Sequence, residues 1–129
     1  MCDNDRFFFC QVYPLASLSV ECSDCSQFNN SDSSYTLSLQ SSITIMCDNT
    51  VTTDLGSLEF TWKKDNQPLT EDEYIITRIG PGASTLMFEI ADFTDAGSYE
   101  CLIQNDVGGD GAKVLVNVLC EYHRPFCIH

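Results

Sequence analysis

Apolar residues recur at every second position in a series of short runs, the period of strands that lay one face on a core. Tyr35, Leu37 and Leu39 form one such run, and Ile43, Ile45 and Cys47 the next, with Thr44 and Met46 turned the other way. Leu58, Phe60 and Trp62 repeat the pattern against Glu59, Thr61 and Lys63. The following span has room for a short strand and for another over Tyr74 to Arg78 before the turn Gly80-Pro81-Gly82. Beyond it, Leu86, Phe88 and Ile90 face one way and Met87 and Glu89 the other. Tyr99, Cys101 and Ile103 then point inward, as do Val114, Val116 and Val118 after a hairpin loop from Asn105 to Gly111. These runs predict an all-β domain over residues 35–119 with one shared interior. The glycine-rich Gly108-Gly109-Asp110-Gly111 falls in the last loop, where a hairpin calls for positive φ, so it reads as a turn and not as a phosphate cradle.

The flanks differ. Residues 1–34 carry Cys2, Cys10, Cys22 and Cys25 and end in a polar run from Ser26 to Ser34 broken only by Phe28, the composition of an extension and linker. Its cysteine-bearing part is too short to bury a core alone and is expected to be held by disulfides. Residues 120–129 form a tail with Cys120 and Cys127. Met1 to Arg6 is net acidic, and the apolar run from Phe7 to Leu18 is interrupted by Gln11 and Pro14, a poor match to a secretion signal. No stretch approaches the roughly 20 apolar residues that span a bilayer, so the chain is expected to be a fragment of a larger ectodomain with no anchor of its own.

Composition narrows the partners. Six basic against 19 acidic residues give a formal charge of −13, which argues against nucleic acid and against insertion at anionic membranes. Eight cysteines in 129 residues, an even number, read as disulfides made in an oxidising compartment, hence an extracellular or cell-surface setting. Asn29-Asn30-Ser31 is an N-glycosylation sequon within the linker.

The residues around the later runs carry a resemblance. Cys47, Trp62-Lys63-Lys64-Asp65, Pro68-Leu69, Ser84-Thr85-Leu86, Asp95-Ala96-Gly97-Ser98-Tyr99-Glu100-Cys101, Asn105 and Gly108 together resemble an immunoglobulin domain of the intermediate set. The resemblance implies a Greek-key β-sandwich with a cysteine-rich N-terminal extension, a Cys47–Cys101 bridge between the sheets, Trp62 against that bridge, and a tyrosine corner built from Asp95 and Tyr99. In two places the chain departs from the family. Glu73 stands before Tyr74 where an Arg is usual, so the family's ion pair to Asp95 lacks its partner, and the loop from Thr50 to Ser57 is long.

Cys120, His123, Cys127 and His129, with Cys22 and Cys25, have the spacing of soft metal ligands. In the family fold the strand that opens the sandwich and the strand that closes it put these groups at opposite ends, which disfavours one zinc site. Local disulfides are preferred, Cys120 to Cys127 and two bridges among Cys2, Cys10, Cys22 and Cys25. Calcium at Glu71-Asp72-Glu73 or at Asp106 and Asp110 is disfavoured, because adjacent loop carboxylates rarely supply the six or more oxygens required. No cofactor is expected. His123 and His129 have no partnered nucleophile, so an enzyme is not expected either.

Outward apolar side chains are the remaining candidates. Leu102 and Leu115, near Thr61 and Lys63, are expected to share one outer sheet face as a docking surface, and Met46 with Met87 to share the other. By resemblance, the expected function is protein recognition or adhesion, with another immunoglobulin domain or a second copy as partner. The competing expectations are a spacer in an intracellular filament protein and a secreted immune-type ligand binder.

Overall fold

The computed structural model describes residues 13–22, 25–29, 34–51, 56–70 and 74–119. Among them, β1 (Ala16–Cys22), β4 (Ile43–Asn49), β8 (Ala83–Phe88) and β7 (Ile75–Ile79) form a four-stranded sheet in that spatial order. A six-stranded sheet runs β2 (Cys25–Asn29), β3 (Ser34–Ser38), β10 (Gly109–Leu119), β9 (Gly97–Gln104), β5 (Glu59–Lys64), β6 (Gln67–Pro68). Described pairings are antiparallel except β3 with β10, which is parallel. No helix among the described residues is long and apolar enough to cross a membrane.

The alternating residues meet where the pattern placed them. Leu37, Ile43, Ile45, Cys47, Leu86, Tyr99, Cys101, Ile103 and Val116 have no exposed surface, and Leu58, Trp62, Phe88, Val114 and Val118 are nearly as buried. Ile90 does not join them. It is 68% exposed, because β8 ends at Phe88 and the chain bends at Glu89 and Ile90. Ala91 enters the core instead, and its N–H and carbonyl bond to Ser41 O and Gln40 N, each at 2.8 Å.

The first strand corrects the expected layout of the extension. Residues 16–22, expected ahead of the sandwich, are its edge strand β1, paired with β4 from Ala16↔Asn49 to Cys22↔Ile43. Ala16, Leu18, Val20 and Cys22 pack on the core, while Ser17, Ser19 and Glu21 are exposed. That alternation stands in the sequence, but the apolar run beginning at Phe7 masks its start. Three bonds fix the head of the strand: Leu15 N–H to Asn49 Oδ1 at 3.1 Å, Ala16 N–H to Asp110 Oδ2 at 2.8 Å, and Thr50 N–H to Leu15 O at 2.9 Å. The chain then crosses to the other sheet, where β3 joins β10 and β2 is added outside β3.

This path also corrects the expected separation of the two cysteine groups. Cys22 lies opposite Ile43, and Leu119 accepts the Leu39 N–H at 2.9 Å, so β1 and β10 finish at the same end of the sandwich, where β3 turns into β4. The glycine-rich hairpin differs as well. Gly108, Gly109 and Gly111 do not have positive φ; the Asn105 carboxamide closes the loop by accepting from Val107 N at 2.9 Å and Gly108 N at 3.0 Å.

Because β1 covers one edge of the core, Leu18→Ser with Val20→Ser is expected to lower stability by about 2 kcal/mol, from the apolar area lost. Ser17→Ala with Ser19→Ala should stay within about 0.5 kcal/mol. Urea unfolding monitored at Trp62 separates the two; equal midpoints would place β1 outside the cooperative unit.

Candidate recognition surfaces

The interior fixes both surfaces, so it comes first. Cys47 on β4 and Cys101 on β9 form a disulfide with Cα atoms 6.2 Å apart. Trp62 pairs with Cys101 within one sheet and Ser84 with Cys47 within the other, and the Trp62 indole donates to Ser84 Oγ at 2.9 Å. A covalent tie and a hydrogen bond thus cross the sandwich side by side. Ser84 shares the inward parity of Leu86 and Phe88. A hydroxyl at such a position, in a chain with a single buried indole, is the signal that would have paired it with Trp62.

A second cluster closes the end where the chain enters β9. Phe93–Asp95 form a single 3-10 turn, in which Phe93 N–H donates to Asp92 Oδ1 at 2.7 Å and Asp92 N–H to Asp95 Oδ2 at 2.9 Å. Tyr99 donates its hydroxyl to the Asp95 carbonyl, and the Asp95 carboxylate accepts from the Tyr74 hydroxyl at 3.3 Å. Tyr74, Phe88 and Tyr99 pack with centroids 5.7–6.2 Å apart. Burial, with Tyr74 beside it, pushes the Tyr99 hydroxyl well above its ordinary value of 10.0, so it remains a donor. The neighbouring hairpin turns through Asp65 and Asn66, φ 52° and 68°, and Asp65 grips Ser98 through its N–H at 2.8 Å and its carboxylate at 2.9 Å. Gly97 leaves room for that carboxylate, since a Cβ there would sit 2.8 Å from Asp65 Oδ2.

On the outer face of β5, β9 and β10 the register sorts the expected docking residues into rows. Thr61, Leu102 and Gly111 share one row; Lys63, Glu100 and Lys113 the next; Ser98 and Leu115 the one after. The charged row therefore divides Leu102 from Leu115. Leu102 is half-buried across Gly111, where a Cβ would meet its Cδ2 at 2.8 Å, and Leu115 stands 43% exposed. That row sets one glutamate between two lysines, a net charge of +1.

The outer face of the four-stranded sheet is built differently. Ile75 lies opposite Met87, Met87 opposite Thr44, and Met46 opposite Ser19 and Thr85, so Ile75, Met87 and Met46 run diagonally across three strands. Beside Met46 is a depression of about 200 Å³ lined by Ser19, Glu21, Thr44, Met46 and Thr85.

At the hairpin end, a depression of about 270 Å³ is lined by Ser57, Glu59, Gln104, Asn105 and Asp106. Asp106 lines this depression and Asp110 does not; an oxygen of Asp110 accepts the Ala16 N–H at 2.8 Å. No described cluster of three His, Cys, Asp or Glu could hold a metal. Cys2, Cys10, Cys120, Cys127, His123, His129 and Glu71-Asp72-Glu73 lie outside the described residues, as do the side chains of Cys25 and Asn29. Cys22 is in a disulfide; with Cys47 and Cys101 joined to each other, its partner is one of Cys2, Cys10, Cys25, Cys120 and Cys127.

Residues 26–118 match the profile of the immunoglobulin I-set domain. The mouse leucine-rich repeats and immunoglobulin-like domains protein 3 is 31% identical over 128 residues, 91% of this chain. Mouse hemicentin-1 is 39% identical over 59 residues, 46% of this chain. The chain spans only 10% and 1% of the lengths of these two relatives. Among solved structures, the Dscam1 Ig7 domain, isoform 9, superposes with a TM-score of 0.63 at 17% identity, over 83% of this chain and all of that one. The titin I-band fragment I67-I69 gives 0.60 at 24%, over 84% of this chain and 34% of its own.

Two substitutions probe the interior. Ser84→Ala leaves the buried indole N–H unpaired and is expected to cost about 1–3 kcal/mol in urea unfolding. Tyr99→Phe should cost about 1–2 kcal/mol at neutral pH. In the parent protein the unfolded phenol ionises near 10 while the folded one keeps its proton, so the Tyr99 contribution holds below that pH and is lost above it. The stability gap between parent and Tyr99→Phe should therefore shrink from pH 9 to 11, and a constant gap would refute the account.

Proposed function

Because the chain belongs to the immunoglobulin I-set family, we propose that it is an extracellular, non-enzymatic protein-recognition module and one unit of a larger receptor or adhesion protein. The observation that carries this reading is the cysteine content: eight in 129 residues, with none free among those described. In a reducing compartment thioredoxin and glutathione would keep such thiols open, and a filament spacer gains nothing from them. The likeness to titin domains concerns fold alone.

Recognition on this fold runs through a sheet face or the loops. At the hairpin end Ser57, Glu59, Gln104, Asn105 and Asp106 line a polar depression that loops could offer to a partner. The partner is a protein, and the acidic surface turns away nucleic acid and anionic lipid. The reading extends to the flanks: Cys120 pairs with Cys127, the four N-terminal cysteines pair among themselves, and Asn29 carries a glycan on the edge strand β2.

The test is peptide mapping of alkylated, unreduced protein made through a secretory pathway, before and after N-glycosidase. Four disulfides including Cys47–Cys101 are expected, with Asn29 converted to Asp by the glycosidase. Free outer thiols in a stable domain would overturn the extracellular reading, and stoichiometric zinc on them would replace it with a metal site.

A further inference from the structure

The two outer faces differ in how their charge is arranged, and that difference identifies a partner chemistry. The four Lys and Arg among the described residues are all committed away from the four-stranded sheet's outer face. Lys63 and Lys113 flank Glu100 on the opposite sheet. Lys64 Nζ donates to the Thr94 carbonyl, and Arg78 lies 4.5 Å from the Phe60 ring centroid while bonding the Gly80 and Pro81 carbonyls. The outward positions of β1, β4 and β8 are left with hydroxyls, the small Ala83, Met46, Met87 and two exposed carboxylates, Glu21 and Asp48.

Apolar surface coincides with that acidic rim. Ile75, 46% exposed, meets Met87 in register, and Met46 follows one row on, within diagonal reach for long side chains. None of the three belongs to the side chains packed on the core. At the β1 side Met46 and Glu21, diagonal neighbours in the register, both line the depression of about 200 Å³. Such a notch suits a Lys or Arg side chain, with the aliphatic stem along Met46 and the cation at Glu21. Methionines adapt to irregular contacts, and the carboxylates select the sign of the partner. A second copy would bring the same two carboxylates and a charge of −13, so self-pairing on this face is opposed.

Building on the reading as a protein-recognition module, the geometry points to the outer face of β1, β4, β8 and β7 as the docking site for a basic segment of a partner protein, seated on Met46, Met87 and Ile75 with a cation at Glu21.

The chain has three methionines, so methyl-labelled Met gives a spectrum of three signals. The probe is a synthetic peptide alternating Lys and Leu, with a Glu–Leu peptide of equal length as control. The Met46 and Met87 methyls are expected to shift saturably with the first peptide and not with the second. Glu21→Lys should raise the dissociation constant about tenfold, the size of one rim charge pair at low salt. Met46→Asn with Met87→Asn should abolish saturable binding, and Lys63→Ala with Lys113→Ala should leave it unchanged. Met methyl shifts with protein concentration alone would overturn the proposal in favour of a second copy. Equal response to both peptides, no response, or shifts spread over the whole acidic surface would overturn it outright. Saturable shifts confined to the amides of Thr61, Lys63 and Leu102 would overturn this face yet leave the recognition reading standing. That reading fails separately, on the thiol mapping.

Discussion

The paired ties between the sheets, Cys47–Cys101 and Trp62–Ser84, set the constraint under which the rest of the domain is arranged. Cross-linking residues 54 apart lowers the entropy of the unfolded chain by about 4 kcal/mol in the loop-closure picture. The bridge also fixes parity. Once Cys47 and Cys101 point inward, every second residue of β4 and β9 must follow, and a slip of one residue would turn both apolar sets to solvent. The indole bonded to Ser84 adds a polar partner that only one register satisfies.

The tyrosine corner does for the approach to β9 what the bridge does for the centre. Asp95 holds the 3-10 turn through its side chain and Tyr99 through its carbonyl, so the incoming loop and the strand share one residue. Asp65 ties the adjacent hairpin to Ser98 in the same neighbourhood. Tyr74 supplies the contact to Asp95 that the replaced arginine would otherwise make in this family, with a hydroxyl in place of a cation. With the end of β9 pinned twice, the outward residues Ser98, Glu100 and Leu102 occupy fixed rows. The contrast between a face with a Lys–Glu–Lys row and an acidic, methionine-bearing one then follows from register.

Much of this was legible in the residues. The inward sets of β4, β5, β9 and β10 are local, period-two information that needs no knowledge of neighbours, whereas the bridge and the Tyr99 corner were legible only through the family resemblance. β1 was legible too, in Ala16, Leu18, Val20 and Cys22, yet the preceding apolar run and Pro14 disguised where it began. Ile90 kept the parity of Phe88 in sequence and lost it in space, because Ala91 is anchored to Ser41 and Gln40, residues about 50 positions away. The glycines at 109 and 111 looked like turn residues. They serve close approaches to the Ile103 carbonyl and the Leu102 side chain, which no local pattern reveals.

The sequence by itself determined which side of each strand is apolar, since burial of alternate side chains is encoded in their spacing. It determined the sign of the net charge through its carboxylates. Only the tertiary structure decided which outward residues gather. Leu102 and Leu115 look equivalent in the sequence, yet the register places a Lys–Glu–Lys row between them, whereas Met46 and Met87, 41 positions apart, become diagonal neighbours because β4 and β8 pair antiparallel. Strand pairing is a long-range choice, made by the fit of whole faces and by the ties that hold them, and the grouping of outward side chains is its product.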